Sequence, residues 1–501
     1  MSKTLIILKM QYIQQNIKRM SLMAMLLISI STLSAQDFYN RLYDTYDDYK
    51  EESITIRRFT HSKIMPLVEG LKSDDFFEVN KVGESIEERS LNLISFGSGD
   101  TDVFLWSQMH GDESTATMAI FDIINFFKTD DFKKEKQEML SELRIHFLPM
   151  LNPDGAERFT RRNALGIDVN RDALRLQSPE GKTLKRVRDS LEADFGFNLH
   201  DQSTYYNANR TPKPATISYL APAYNYEKEI NEVRENSIKL IAYMNDILQK
   251  YAPGQVGRYD DTFEPRAFGD NIQKWGTSTV LIESGGYPDD PEKQEIRKLN
   301  YVTILSAVHA IATGAYKNAD REDYFKIPEN DRKLFDLKLI GVQYELLGNI
   351  YTVDLGINTH QVPAHNDKGY LYKGSISDMG DLSTYYGYKK LDASTYTVVP
   401  AKIYPKTLES ISSIQEKGVT DFLKEGYAFV KVKQIPEDKN DVGIPIHVIS
   451  GDKNTEVKFY VGANPTFFLK KDGELRYLVI NGFLVYLSAP ENDFGNALIY
   501  R

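Results

Sequence analysis

His110 and Glu113 are three residues apart in Met109-His110-Gly111-Asp112-Glu113-Ser114, directly after the apolar run Val103 to Trp106. In a loop leaving a strand, an imidazole nitrogen and a carboxylate oxygen at that spacing reach one cation. The donor pair suits Zn²⁺, with a third ligand and water completing a catalytic tetrahedral site. Alone, the pair is equally the pattern of surface or helix-capping residues. The chain has no cysteine and eight histidines. Disulfides, thiolate zinc ribbons, Fe–S clusters, thiol nucleophiles and lipid-anchored lipoproteins are thereby excluded, and any metal must be held by His, Asp or Glu. His146, mid-strand among apolar neighbours, reads as a core histidine, and His360 and His365 read as loop residues.

Such groups need a framework. Val103 to Trp106 suits a buried parallel strand. Ala116, Ala119, Ile120, Ile123, Ile124 and Phe127 then fall on one face of a helix. Leu143 to Met150 reads as a strand and Asn152-Pro153-Asp154-Gly155 as a turn. Strand and helix continue to alternate through Phe197 to His200, Tyr226 to Lys250, Ser278 to Ile282 and Pro291 to Thr313. This alternation predicts an α/β domain with a mixed, largely parallel central sheet flanked by helices. Residues 37–72 look mostly helical and precede a strand pair around Gly83-Glu84-Ser85. His110, Asn152, His200 and Glu283 each follow an apolar strand-like run, where side chains at the carboxyl ends of strands gather.

The charged stretch 319–333, with Pro328, reads as a linker. Residues 334–501 read as a mostly β domain, with hairpin signals at Lys471-Asp472-Gly473 and Asn481-Gly482 and a helix only around Ile414 to Lys424. The length of 501 residues accommodates two such domains.

Six segments occur in the order and approximate spacing of the zinc carboxypeptidases related to carboxypeptidase A. They are Met109 to Glu113, Asn152 to Gly155, Arg161-Arg162-Asn163, Gly166 to Arg171, Asn198-Leu199-His200 and Ile282 to Gly285. Over residues 60–315 the chain resembles that family, which makes 37–318 the expected peptidase domain. The resemblance implies one Zn²⁺ per chain, held by His110, Glu113 and His200, with Asp168 orienting the first imidazole. It implies Glu283 as general base, Arg161 as oxyanion stabiliser, and Asn170 with Arg171 as receptor of the substrate's terminal carboxylate. A substrate-covering tyrosine is expected between His200 and Glu283, with Tyr259 the nearest candidate. The specificity pocket is expected in Glu264 to Asp270, where Arg266, Phe268 and Asp270 would favour acidic, apolar and basic terminal side chains respectively.

Residues 1–35 have the order of a secretory signal: Lys18 and Arg19, an apolar run from Ser21 to Leu33, then Ser34 and Ala35. The run of about a dozen residues is short of the roughly 20 that a membrane-spanning helix needs. Cleavage near Ala35, export to the periplasm or medium and no transmembrane anchor are therefore expected. Residues 37–60 are too short for a folded inhibitory propeptide. A formal net charge of −10, from 61 Lys+Arg against 71 Asp+Glu, argues against nucleic-acid binding. The expected substrates are peptides or murein peptide stems. A murein endopeptidase or amidohydrolase with the same site is the enzymatic alternative, and a non-catalytic peptide- or glycan-binding protein the alternative of another class.

Overall fold

The computed structural model describes residues 38–365, 369–451, 453, 455–489 and 493–501. The signal segment expected at 1–35 lies outside the described residues. The chain forms two compact units. One takes the chain up to Thr204 together with Ala215–Asn330, and the other Tyr205–Pro214 together with Asp331–Arg501.

The first unit is built on eight strands: β1 (Glu78–Glu84), β2 (Ser90–Gly97), β3 (Thr101–Ser107), β4 (Leu143–Leu148), β5 (Phe195–Asp201), β6 (Ile217–Leu220), β7 (Val256–Arg258) and β8 (Ser278–Ser284). Their order is β1-β2-β4-β3-β5-β8-β6-β7. The central four, β4-β3-β5-β8, are parallel, while β1, β2 and β6 join antiparallel. This is the expected mixed, largely parallel sheet. Its central strands are apolar on both faces because helices cover both sides. Val103 and Leu105 of β3 enter one core with Phe197, Leu199, Val280 and Ile282. The alternate residues Phe104 and Trp106 enter a second core with Leu148, Val169, Leu184 and Phe268.

The helices are α1 (His61–Leu71), α2 (Thr115–Phe127), α3 (Lys133–Glu142), α4 (Pro153–Arg158), α5 (Pro179–Leu191), α6 (Glu232–Tyr251), α7 (Phe268–Lys274), α8 (Gln294–Thr313) and α9 (Arg321–Lys326). Two departures from the sequence reading have local causes. Asn152-Pro153-Asp154-Gly155 begins α4 rather than a simple turn. Asn152 caps the helix by accepting from the Gly155 N–H at 2.9 Å, with Pro153 in the first turn. The stretch expected as a linker contains α9, anchored by Tyr324, which is fully buried and whose hydroxyl accepts the Ala221 N–H.

Residues 38–54 are part of the first core. Phe38, Leu42, Tyr46, Tyr49 and Ile54 are buried in it. Asp122 of α2 pairs with Arg297 of α8, both side chains fully buried, and the pair also holds this segment. Asp122 accepts from the Tyr46 hydroxyl and the Glu51 N–H; Arg297 donates to the carbonyls of Ile54 and Glu51. His146 is satisfied as expected, between Ser95 and Asp102 at 2.7 Å each.

The second unit is mostly β. A sheet runs through Leu334–Leu346, Asn349–Pro363 and Tyr370–Gly380 and on to the meander Phe467–Lys471, Glu474–Ile480 and Phe483–Tyr486. The latter three strands turn at the two predicted hairpins. His360 lies within Asn349–Pro363 and is a strand residue, not a loop residue. The expected helix is split into Ser412–Lys417 and Val419–Lys424 at Gly418, whose φ is +91°.

Candidate active site

The carboxyl ends of the parallel strands converge on one cluster. After β3 the chain turns at Gln108, φ +53°. The Gln108 side chain then donates to the Gly111 carbonyl at 2.9 Å and accepts from the Thr117 hydroxyl at 3.0 Å, which ties the loop to α2. A side chain at Gly111 would bring a Cβ within 2.0 Å of the Gly155 carbonyl carbon. The His110 loop therefore rests directly on the first turn of α4, and no other residue fits there.

His110, Glu113 and His200 each offer a ligand atom, and these atoms lie within 4.8 Å of one another. His110 Nδ1 is 2.8 Å from Glu113 Oε1, His200 Nδ1 is 2.6 Å from Glu113 Oε2, and the two imidazole Nδ1 atoms are 3.2 Å apart. His110 Nε2 faces Asp168 Oδ1 at 3.1 Å, so the ring is oriented from behind while Nδ1 turns to the cluster. Asp168 also receives Arg161 Nε at 2.9 Å, and Arg161 Nη1 lies 3.4 Å from Glu113 Oε1. Glu283 follows from register. It pairs with His200 across the parallel strands β5 and β8, so the two side chains share one face of the sheet.

The electrostatics follow from this crowding. Burial opposes a charged His110, but Glu113 and Asp168 outweigh it and raise its pKa to about 9. Burial likewise opposes the Glu113 charge, yet the two imidazoles hold it well below the usual carboxylate range. Two imidazoles and a carboxylate thus meet at one point, each with an atom to offer a metal ion. With the imidazoles neutral, two nitrogens and a carboxylate are the donor set of a catalytic zinc site with one position left open. Glu283 is pushed well above the ordinary carboxylate value, first by burial and then by the charge of Glu113.

The remaining expected site residues divide. Arg171 has its Nη1 on the Asn170 carbonyl and its Nε 3.5 Å from Glu264. Asn170 spends its side-chain oxygen on the Phe268 N–H at 2.9 Å, which docks α7 against the loop. Arg266 is exposed and held in a two-point contact by Glu264. Phe268 points into the core with no exposed surface and cannot line a pocket. Asp270 is half-buried, accepts the Glu264 N–H at 3.1 Å, and desolvation pushes its pKa up to about 7. Tyr259 directly follows β7, the edge strand two places beyond the one carrying Glu283, and its N–H donates to the Tyr219 carbonyl.

Sequence reading missed Glu264, which ties both Arg171 and Arg266, and the pair Asp201–Lys293, 3.0 Å apart and buried. Asp201 could have been found from its position directly after His200. Lys293 precedes α8 and carried no comparable signal.

The zinc carboxypeptidase family matches residues 67–245. Among curated relatives, carboxypeptidase SOL1 of Arabidopsis thaliana is 29% identical over 143 residues, 23% of this chain and 28% of that protein. The carboxypeptidase N catalytic chain of Homo sapiens is 28% identical over 116 residues, 19% of this chain and 25% of that protein. The chain thus spans about a quarter of the length of each of these two relatives. Among solved structures, a metallo-carboxypeptidase from Burkholderia cenocepacia aligns over 52% of this chain and 70% of its own, at 14% identity and a TM-score of 0.42. Carboxypeptidase A from Helicoverpa armigera aligns over 56% and 80%, also at 14% identity and a TM-score of 0.42.

Proposed function

We propose that this protein, whose residues 67–245 match the zinc carboxypeptidase family, is an exported zinc-dependent metallocarboxypeptidase. It removes carboxyl-terminal residues from peptides, including the peptide stems of murein. The observation that carries the reading is the convergence of His110, Glu113 and His200 within 4.8 Å at the strand ends that also present Glu283.

His110, Glu113 and His200 hold one zinc ion in this reading. Bound there, zinc supplies Lewis acidity toward a water and toward the scissile carbonyl. Glu283 takes a proton from the attacking water and passes it to the leaving amine; its burial gives it the proton affinity that such a shuttle needs. Arg161, tethered by Asp168, presents a fixed cation to the developing oxyanion. Asn170 and Arg171 receive the terminal carboxylate, and Glu264 steadies the guanidinium of Arg171. Export rests on the charge and apolar pattern of residues 1–35.

Hydrolysis of peptide pairs that differ only in a free or amidated carboxyl terminus tests the reading on the zinc-loaded protein. The free peptide is expected to be cleaved and the amidated one spared. Cleavage of amidated peptides would favour the endopeptidase or amidohydrolase alternative, and cleavage of neither a binding role. Arg171→Ala is expected to lower kcat/KM for free peptides about 10- to 100-fold, the scale of a hydrogen bond between charged groups. Its selectivity for the free over the amidated peptide should fall by the same factor; unchanged selectivity would remove Arg171 from the clamp. Asp168→Asn is expected to weaken zinc binding about 10- to 100-fold, read by competition with a chromogenic chelator. Wild-type affinity would show that Asp168 does not orient His110.

A further inference from the structure

A cavity of about 310 Å³ opens beside Glu113, lined by Arg57, Asp112, Phe159, Asp201 and Lys293 among others. Arg161, Asn170, Arg171 and Arg266 do not line it. If the carboxyl-terminal residue of a peptide goes to Arg171, the residues preceding the scissile bond go toward this cavity.

The charges lining it are unequally engaged. Lys293 is spent: its Nζ donates to Asp201 Oδ2 at 3.0 Å and to the Ser284 carbonyl at 2.7 Å. Glu113 is committed to the two imidazoles. Arg57 donates Nε to the Pro291 carbonyl and lies over the Phe159 ring, which leaves its terminal nitrogens for an acyl oxygen. Asp201 has a side chain only 6% exposed, and its Oδ2 also accepts the Thr115 hydroxyl at 2.6 Å. Yet Asp201 Oδ1 and Asp112 Oδ1 are both buried and accept no hydrogen bond. An ionised carboxylate has about four acceptor positions, and leaving a buried one unmet is costly.

Resting on the carboxypeptidase reading, we infer that this cavity binds an ammonium group of the substrate on the amino side of the scissile bond, with Asp112 and Asp201 as its acceptors. An ammonium carries three donors and one positive charge, which matches two unsatisfied carboxylate oxygens better than a neutral amide does. The group comes either from a free amino terminus one residue before the bond or from a lysine-type side chain at that position.

Three peptides sharing one carboxyl-terminal residue X separate these cases on the zinc-loaded full chain: Ala-X, N-acetyl-Ala-X and N-acetyl-Lys-X. The expected result is a kcat/KM for one of the amine-bearing peptides at least about tenfold above N-acetyl-Ala-X, the scale of a charge-assisted hydrogen bond. Preference for Ala-X assigns the amino terminus, and preference for N-acetyl-Lys-X the side-chain amine. In Asp112→Asn and Asp112→Ala the ratio should approach one. Calorimetric titration of the same peptides into Glu283→Gln should show the same order of affinity without turnover. Equal rates for all three peptides, or a preference that survives both Asp112 variants, would overturn the inference. If none of the three is hydrolysed, the peptidase reading fails, and the calorimetric order alone then decides the cavity's ligand.

Discussion

Glu283→Gln is expected to bind zinc like the wild type and to lose about 10²- to 10⁴-fold in kcat, the range over which a positioned general acid–base group accelerates proton transfer. The amide keeps the size of the side chain at the end of β8 but can neither take a proton from water nor return one to an amine. Because Glu283 and His200 are register partners on neighbouring strands, the substitution removes no ligand and leaves the His110, Glu113 and His200 geometry in place. KM should change little, since Asn170 and Arg171, proposed to receive the terminal carboxylate, lie on a different segment. The measurement is steady-state hydrolysis of a free-carboxylate peptide alongside zinc content by atomic absorption. Full turnover in a zinc-loaded Glu283→Gln protein would discard the proposed mechanism; loss of zinc together with activity would instead make Glu283 part of the metal site.

Arg297→Met is expected to destabilise the first unit by about 3–5 kcal/mol, the cost of removing one partner from a buried ion pair. Arg297 and Asp122 have no exposed side-chain surface, so the variant strands Asp122 without a counter-charge. It also leaves the carbonyls of Ile54 and Glu51 without their donors. Replacing both members by apolar residues of similar volume should cost less than replacing Arg297 alone, because no charge is then left buried. The two tryptophans of the chain, Trp106 and Trp275, both belong to the first unit, so urea unfolding followed by tryptophan fluorescence reports this unit. A loss below about 1 kcal/mol would mean that the pair contributes little beyond what water supplies to an exposed pair.

Much of the first unit was legible because its elements repeat with the periods that burial imposes. Val103 to Trp106 is apolar without interruption, and only a strand covered on both faces uses such a run; the cores holding Val103 and Phe104 on opposite sides of the sheet are the result. Helices α3 and α5 went unread because their sequences, Lys133–Glu142 and Pro179–Leu191, are rich in charge and bury few apolar side chains. Gly111 is unremarkable in sequence. Its necessity lies in a contact between its loop and the first turn of α4 that sequence separation conceals, a distance of 2.0 Å for an added Cβ.

In the site, residue types and spacing alone offered His110 and Glu113 as a pair; His200, Asp168, Arg161 and Glu283 were nominated by the resemblance of the ordered motifs to the zinc carboxypeptidases. The sequence could not apportion the stretch Glu264 to Asp270. Whether Phe268 lines a pocket or fills the core depends on how α7 docks, and that is decided by a hydrogen bond from its first residue to Asn170, almost a hundred positions away. The same holds for Asp112 and Asp201. By type they are two more carboxylates in an acidic chain. Only the packing of Thr115 and Lys293 against one oxygen of Asp201 leaves its other oxygen unmet, because hydrogen-bond saturation is a property of neighbours in space and not of neighbours along the chain.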